Sequence, residues 1–287
     1  MPLLSVLLPV KDGSATVLRA ARSTLRAMPR DAELVVVDDG STDATGEVLS
    51  RIADRRLRVV RHERPQGVAS SLNEALARTD SRVVARMDAD DVSLPWRFRV
   101  QLPALSGADH VFGALVLIDG RGRPTGLADP SPVSTEQAPL HLLLENPFAH
   151  PTLVARRTAL EAVGGYRPTA VEDYDLWLRA VAAGQRLRKL AAPVLAYRRH
   201  PGQATQSWRR DAPDALLDES YGALLPAELR PATSGLRSAA VFRDAGAADP
   251  VALRALHHHV EQQARRLGAP ARRRVLRRAR PATVQAG

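Results

Sequence analysis

Glu33-Leu34-Val35-Val36-Val37-Asp38-Asp39-Gly40-Ser41-Thr42-Asp43 is the stretch that decides the fold. Four consecutive apolar residues follow Glu33, with no polar alternation. A strand with one wet face would alternate, so this run reads as a strand buried on both faces, the mark of a parallel sheet covered by helices. The run stops at two carboxylates and a glycine. Ser41–Ile52 then reads as a helix opened by a cluster of capping residues.

The same order recurs on either side. Leu3–Val10 reads as a buried strand, and Ser14–Met28 as a helix with Val17, Leu18, Ala21 and Leu25 on one face. Leu57–Val60 is a third strand, Gly67–Ala77 a third helix and Arg82–Met87 a fourth strand. Strand alternating with helix predicts an α/β fold, with a Rossmann-like, mostly parallel central sheet flanked by helices. Ligands bind beyond the carboxyl ends of such strands. Three of those ends are polar: Pro9-Val10-Lys11-Asp12, Asp38-Asp39-Gly40-Ser41 and Asp88-Ala89-Asp90-Asp91.

The second half is less regular. His110–Ile118 reads as a strand and Asp119–Pro139 as a loop or insertion rich in Gly, Pro, Asp and Ser. Thr152–Ala155 is a short strand and Pro193–Arg198 a final one. Glu172–Ala183 is a helix with Tyr174, Trp177, Leu178 and Val181 on one face, where Trp177 reads as core. Beyond about Asp211 the pattern loosens into Ala/Leu/Arg-rich helical stretches broken by prolines. The expected division is a main domain over 1–207 and a helical, arginine-rich C-terminal extension over 208–287, its tail partly disordered.

Composition bounds the function classes. The 287 residues are 45% apolar but only 4% aromatic, so the core must rest on Leu, Val and Ala. No cysteine is present, which excludes disulfides, thiolate metal sites and cysteine nucleophiles. The net charge of +10 is uneven: from Val251 onward nine arginines face one acid, Glu261. The basic character belongs to the tail, which argues against a specific nucleic-acid-binding fold. An anionic membrane surface is one partner for that tail; a solvated tail is the other reading. No leader is legible and no apolar run is long enough to span a bilayer, so the expectation is a cytoplasmic protein, with peripheral contact at the inner face of the membrane left open.

Asp88 and Asp90 have the alternate spacing that points two side chains the same way in extended chain. Clustered carboxylates suit a hard divalent cation, Mn²⁺ or Mg²⁺, which can neutralise a leaving diphosphate. An isolated Asp-x-Asp is more often a solvated turn. Here it follows an apolar strand in a sheet whose second strand also ends in an acidic pair.

In order and spacing, these pieces resemble family 2 glycosyltransferases of the GT-A fold. The resemblance rests on Ser5–Asp12, Glu33–Asp43, Leu72-Asn73, Ala85–Asp91, His150-Pro151-Thr152, Gly164-Gly165-Tyr166, Glu172–Arg179 and Tyr197-Arg198-Arg199-His200. It implies an inverting, metal-dependent hexosyltransferase-type enzyme that uses a nucleotide-sugar donor, with UDP-sugar favoured. The acceptor would be a saccharide, lipid-linked or other hydroxyl compound of cell-envelope (cell wall) polysaccharide or glycoconjugate synthesis. Pro9, Val10, Asp38, Asp39 and Asp88 are implied in nucleotide binding, and Asp90 and His200 at the metal or diphosphate. Ala89, His150, Gly165 and Glu172 fall on the donor-sugar or acceptor side, and Asp173 matches the catalytic base. Arg86, inside the fourth strand, reads as a structural salt bridge rather than a donor contact. Lys11-Asp12 departs from the Tyr-Asn of many relatives, and Val154-Ala155-Arg156-Arg157 lacks an aromatic before its basic pair.

Two rivals stand against this. A dinucleotide-binding oxidoreductase would need a G-x-G-x-x-G after strand one, which is missing, and a nucleotidyltransferase would need a glycine-rich loop there. A non-catalytic nucleotide-sugar-binding or scaffold member of the same fold is the alternative from another class.

Overall fold

The structure, a computed structural model, describes residues 2–128, 130–199, 214–242 and 248–279. In chain order the first elements are β1 (Leu4–Val10), α1 (Val17–Ala27), β2 (Ala32–Asp38), α2 (Thr45–Ser50), β3 (Leu57–Arg61), α3 (Val68–Ala77) and β4 (Val83–Arg86). Then come β5 (Val92–Ser93), α4 (Arg97–Ala104), β6 (His110–Ile118), β7 (Pro124–Ala128), α5 (Ala138–Leu142), a 3-10 turn over His150–Thr152, β8 (Val154–Arg156) and α6 (Arg157–Ala162). The remainder is α7 (Glu172–Ala182), β9 (Leu187–Arg198), α8 (Ala215–Leu224), a 3-10 turn over Ala227–Ala232, α9 (Thr233–Phe242), α10 (Pro250–Ala264) and α11 (Ala269–Ala279).

The chain divides into two units. The first comprises residues 1–132, 148–168 and 187–207, and contains the sheet. Among the described residues the strand order is β3-β2-β1-β4-β8-β6-β9-β5, with β7 beside β6. The first four strands are parallel, as their unbroken apolar runs predict: Val6, Leu8, Leu34 and Val36 are fully buried. Beyond β4 the sheet is mixed. β4–β8, β8–β6, β6–β7 and β9–β5 are antiparallel and β6–β9 is parallel. For β6–β7 the antiparallel pairing has a simple cause. Parallel neighbours need a crossover of a dozen or more residues, and the link from Ile118 to Pro124 is too short for anything but a hairpin.

β1 is the strand that positions the candidate site. It lies between β2 and β4, pairing Val10 with Asp38 on one side and Leu7 with Arg86 on the other. The polar ends of three strands are therefore neighbours. Below them Arg97 of α4 is completely buried. Its guanidinium donates to the carbonyl of Arg86 at 2.7 Å, to that of Leu153 at 3.4 Å and to Ser93 Oγ at 3.2 Å, which supports the chain where β4 ends.

The second unit comprises residues 133–147, 169–186 and 208–287. Its interior is built on α7, where Tyr174, Leu176, Trp177 and Leu178 are fully buried. The expected core role of Trp177 is met. Asp175 is buried there too, accepting from Ser220 Oγ at 2.7 Å and paired with Arg179. Tyr221 donates its hydroxyl to the Leu143 carbonyl at 2.8 Å. The prolines at 226, 250 and 270 fall at helix or turn starts, where a missing N–H costs nothing. No described helix is long and apolar enough to cross a membrane.

Candidate active site

The loops after β1 and β2 hold each other. Asp12 sits at φ +49°, a left-handed conformation that Asp tolerates better than most residues. Its amide donates to Ser41 Oγ at 2.9 Å, and its carboxylate accepts from the Thr42 amide at 2.8 Å. The Gly13 amide donates to Thr45 Oγ1 and the Ser14 amide to Asp43, both at 2.9 Å. Asp43 is held well below the usual carboxylate range by its hydrogen bonds from Thr45 and Ser14. Gly13 itself has no room for a side chain: a Cβ there would lie 2.5 Å from Val10 and 3.8 Å from the Ala89 methyl. Pro9 and Val10 thus stand between the acidic end of β2 and the Asp88–Asp91 turn.

At the end of β2 both carboxylates are buried. Asp38 Oδ1 accepts from the Ser41 amide at 2.9 Å, and Arg61 Nε lies 3.8 Å from Oδ2. Asp39 accepts from the amides of Gln66 and Gly67, each at 2.8 Å, and from His62 Nδ1 at 2.6 Å. Burial alone would raise the Asp39 pKa, but these donors outweigh it and hold the carboxylate below its ordinary value. His62 is a buried residue that the sequence reading passes over. Its partners stand 23 residues before it and 12 after, so no periodic pattern marks it.

At the end of β4 the arrangement differs. The chain turns over Ala89 and Asp90 instead of continuing extended, so alternation is not what gathers the carboxylates. The turn brings Asp88, Asp90 and also Asp91 together, with ligand-capable oxygens all within 4.8 Å of one another. Arg86, buried in β4, pairs with Asp88, as its structural reading anticipates. Asp91 is 1% exposed. One of its oxygens accepts the Arg198 amide at 2.9 Å, and the other, fully enclosed, has no hydrogen-bond partner. Burial and the neighbouring charge of Asp90 push its pKa up to about 8, against the pull of Arg198, Arg86 and Arg97. Arg198 of β9 closes the turn by donating to the carbonyls of Asp90 at 2.8 Å and Gly120 at 2.9 Å. Sequence spacing did not reveal Asp91 as part of the donor set, nor Arg97 and Arg198 as its supports.

His150 lies in the 3-10 turn, 7% exposed, with Nε2 3.1 Å from the Tyr166 hydroxyl. Gly164 and Gly165 both have positive φ. A Cβ on Gly165 would come within 2.6 Å of Asn73 Oδ1, and Asn73 needs that approach because it exchanges two hydrogen bonds with the Tyr166 backbone, at 2.8 and 2.9 Å. His200 lies outside the described residues.

Glu172 and Asp173 belong to the second unit, in the first turn of α7, where carboxylates complement the helix dipole. Asp173 is largely buried and accepts from Asn146 Nδ2 at 3.2 Å and from the Tyr174 amide at 2.7 Å.

The description "Glycosyl transferase family 2" matches residues 5–164, more than half of the chain. The chain belongs to glycosyl transferase family 2. It is 28% identical to the putative glycosyltransferase EpsE of Bacillus subtilis, over 64% of this chain and 69% of that protein. It is 31% identical to the amylovoran biosynthesis glycosyltransferase AmsE of Erwinia amylovora, over 58% of this chain and 64% of that protein. It is 33% identical to the succinoglycan biosynthesis protein ExoU of Rhizobium meliloti, over 64% and 58%. The match therefore spans less than two thirds of AmsE and ExoU. Among solved structures, S. aureus TarS 1-349 in complex with UDP-GlcNAc matches with a TM-score of 0.63 at 17% identity, over 97% of this chain and 87% of that one. At that identity the likeness speaks for the fold, which is of the GT-A type.

Proposed function

We propose that the chain is an inverting glycosyltransferase that moves a sugar from a nucleoside-diphosphate donor, UDP-sugar being favoured, to a hydroxyl acceptor of cell-envelope polysaccharide or glycoconjugate synthesis. The preference for uridine is supported by the ligands in the TarS structures, UDP and UDP-GlcNAc. The polysaccharide setting is supported by the names of AmsE and ExoU. The transferase domain is taken as 1–207, with 208–287 as its extension.

The observation that carries the proposal is the Asp88–Asp90–Asp91 turn. Three carboxylates converge, one oxygen of Asp91 is enclosed with no protein donor, and the donor set is all oxygen. That chemistry fits a hard divalent cation such as Mn²⁺ or Mg²⁺. Asp90 would be the principal ligand, with Asp88, Asp91 and His200 as further candidates. When bound, the cation supplies Lewis-acid neutralisation of the diphosphate.

The chain's own residues do the rest. Asp39, with Asp38, Pro9, Val10 and Asp88, receives the nucleoside diphosphate. Ala89, His150, Gly165 and Glu172 serve the donor-sugar and acceptor side. Asp173 takes the proton of the acceptor hydroxyl as that oxygen bonds to the sugar's anomeric carbon. The bond to the nucleoside diphosphate breaks on the opposite face, and the configuration inverts. Asn146 donates to one oxygen of Asp173 and the Tyr174 amide to the other, which orients the carboxylate.

The test is calorimetric binding of UDP with and without Mn²⁺, to the wild type and to Asp90→Asn. Mn²⁺-dependent binding that the variant loses supports the reading. Failure of UDP, GDP and dTDP alike would favour a non-catalytic member of the fold.

Peripheral membrane contact is part of the proposal. On α11, Arg272, Arg273 and Arg277 are exposed while Val275 is fully buried, so the basic side faces solvent. Clustered arginines gain about 1 kcal/mol each beside anionic headgroups. Full-length protein should sediment with anionic vesicles, and charge reversal at Arg272, Arg273 and Arg277 should release it. Equal partitioning would remove the membrane from the proposal.

A further inference from the structure

His62 does not belong to any motif the fold is recognised by, yet its environment is built. It follows β3, is 5% exposed, and its amide donates to the Asp38 carbonyl at 2.9 Å. Both ring nitrogens face carboxylates. Nδ1 is 2.6 Å from Asp39 Oδ1, and Nε2 is hydrogen-bonded to Glu74 Oε2. A neutral imidazole carries one N–H and one lone pair, so one of these contacts would set a lone pair against a negative oxygen. Only the doubly protonated ring can donate to both. The charged groups facing it are Asp39 from the end of β2 and Glu74 from α3, with Arg78 paired to the other oxygen of Glu74 at 2.8 Å.

Asp39 shows what this cation is for. Oδ1 already accepts from His62 and from the Gln66 amide, and Oδ2 accepts from the Gly67 amide. A carboxylate oxygen has two lone pairs, so one acceptor position remains, on Oδ2. That is the number needed to accept the ring N–H of a pyrimidine base, aimed by three fixed donors. Gly67, at φ +90°, occupies a conformation that a side chain would strain, so the loop's shape is also set by its backbone. Without the imidazolium, the buried Asp39 charge would rest on two amides alone, and the tie from β2 to α3 would be cut.

We propose that His62, held as an imidazolium between Asp39 and Glu74, is a positioning residue that fixes Asp39 and the 62–67 loop in the form that receives the donor's base. This rests on the nucleotide reading above. Burial presses the His62 pKa down, but the bonds to Asp39 and Glu74 prevail and raise it above its ordinary value. A raised folded-state pKa means that the support is complete below the ordinary histidine pKa. It is lost as pH rises through the raised one.

The experiment uses the full chain. The His62 ring is titrated by NMR, and UDP affinity with Mn²⁺ is measured from about pH 6 to 8.5, which brackets imidazole titration. Wild type, His62→Gln and Glu74→Gln are compared, so that the nucleotide's own titration cancels. The wild-type His62 should titrate above the ordinary value, and UDP affinity should fall several-fold through that pH. His62→Gln should bind about tenfold more weakly at the acid end, the worth of one charge-assisted contact, and should lack the slope. Glu74→Gln should move the ring's pKa and the fall in affinity to lower pH together, which a merely structural histidine would not do. Thermal unfolding of each variant separates a lost fold from a lost pocket. A level wild-type affinity across the ring's titration, or wild-type binding by His62→Gln, overturns the proposal while leaving the nucleotide reading intact. Absence of UDP, GDP and dTDP binding at every pH overturns both.

Discussion

Two strand ends in this protein carry paired aspartates, and they are chemically unlike. At the end of β2, Asp39 accepts from two backbone amides and a histidine, and its pKa is held low. At the end of β4, Asp88, Asp90 and Asp91 crowd one another. There the enclosed Asp91 is driven up to about 8, first by burial and then by its neighbour's charge. The first arrangement spends its carboxylates on shaping a loop. The second leaves oxygens that a divalent cation would satisfy. Identical residue types thus become a scaffold in one place and a prospective ligand set in the other, and the difference lies in who donates to them.

The sharpest way to break this contrast is to remove the buried support beneath the second end. Arg97→Leu would remove a buried donor from the carbonyl of Arg86 and strip Asp91 of a counter-charge. Removing one partner of a buried charged network costs about 3–5 kcal/mol, readable in urea unfolding. Asp90→Asn should come next, on function alone. Mn²⁺-dependent UDP binding and sugar transfer should drop by about a hundredfold, with the unfolding midpoint nearly unchanged. A large fall in stability would mean that β4's end is a scaffold after all. Asp39→Asn should weaken UDP binding too, but unlike Asp90→Asn it should also lose about 1–3 kcal/mol of stability, because an amide cannot serve three donors as a carboxylate does. The smallest effect is the pH dependence of the β2 end. His62 has a raised pKa, so wild-type stability should slope downward as pH climbs from the ordinary histidine value through the raised one, and His62→Gln should lack that part of the slope.

The sequence made one of these ends much more legible than the other. β1 to β4 were placed to within a residue or two because strands buried on both faces are unbroken apolar runs, and β6 ran from His110 to Ile118 as expected. The Asp-x-Asp pair was visible for the same reason, as the point where an apolar run stops. Alternation, however, was the wrong geometry, and the actual turn recruited Asp91. α4 was hidden by Pro95, Pro103 and its arginines, and β5 is only two residues long. The loop expected over Asp119–Pro139 contains β7, whose residues Pro124-Thr125-Gly126-Leu127-Ala128 have poor strand propensity and owe their form to pairing with β6. The first half of β9 was missed because Arg188 and Lys189 break its apolar run. Asp39 was read as a binding group, but nothing in its surroundings in sequence announced His62 or Glu74. Long-range polar contacts leave no period to find.

The pairing of β6 with β9 also has a consequence for the chain as it is made. The parallel block of β1 to β4 can assemble once about 90 residues have emerged. β6 has to wait for a partner that ends at Arg198, about 80 residues after its own last residue. At translation rates of about 5–20 residues per second, that leaves roughly 4–16 seconds before β9 covers Phe112, which ends up fully buried. In the interval the hairpin with β7 covers only Leu115 to Ile118, and β8 only His110 and Val111. The nascent polypeptide therefore carries a sticky, half-built edge, and its yield in any expression host should depend on how well that edge is chaperoned.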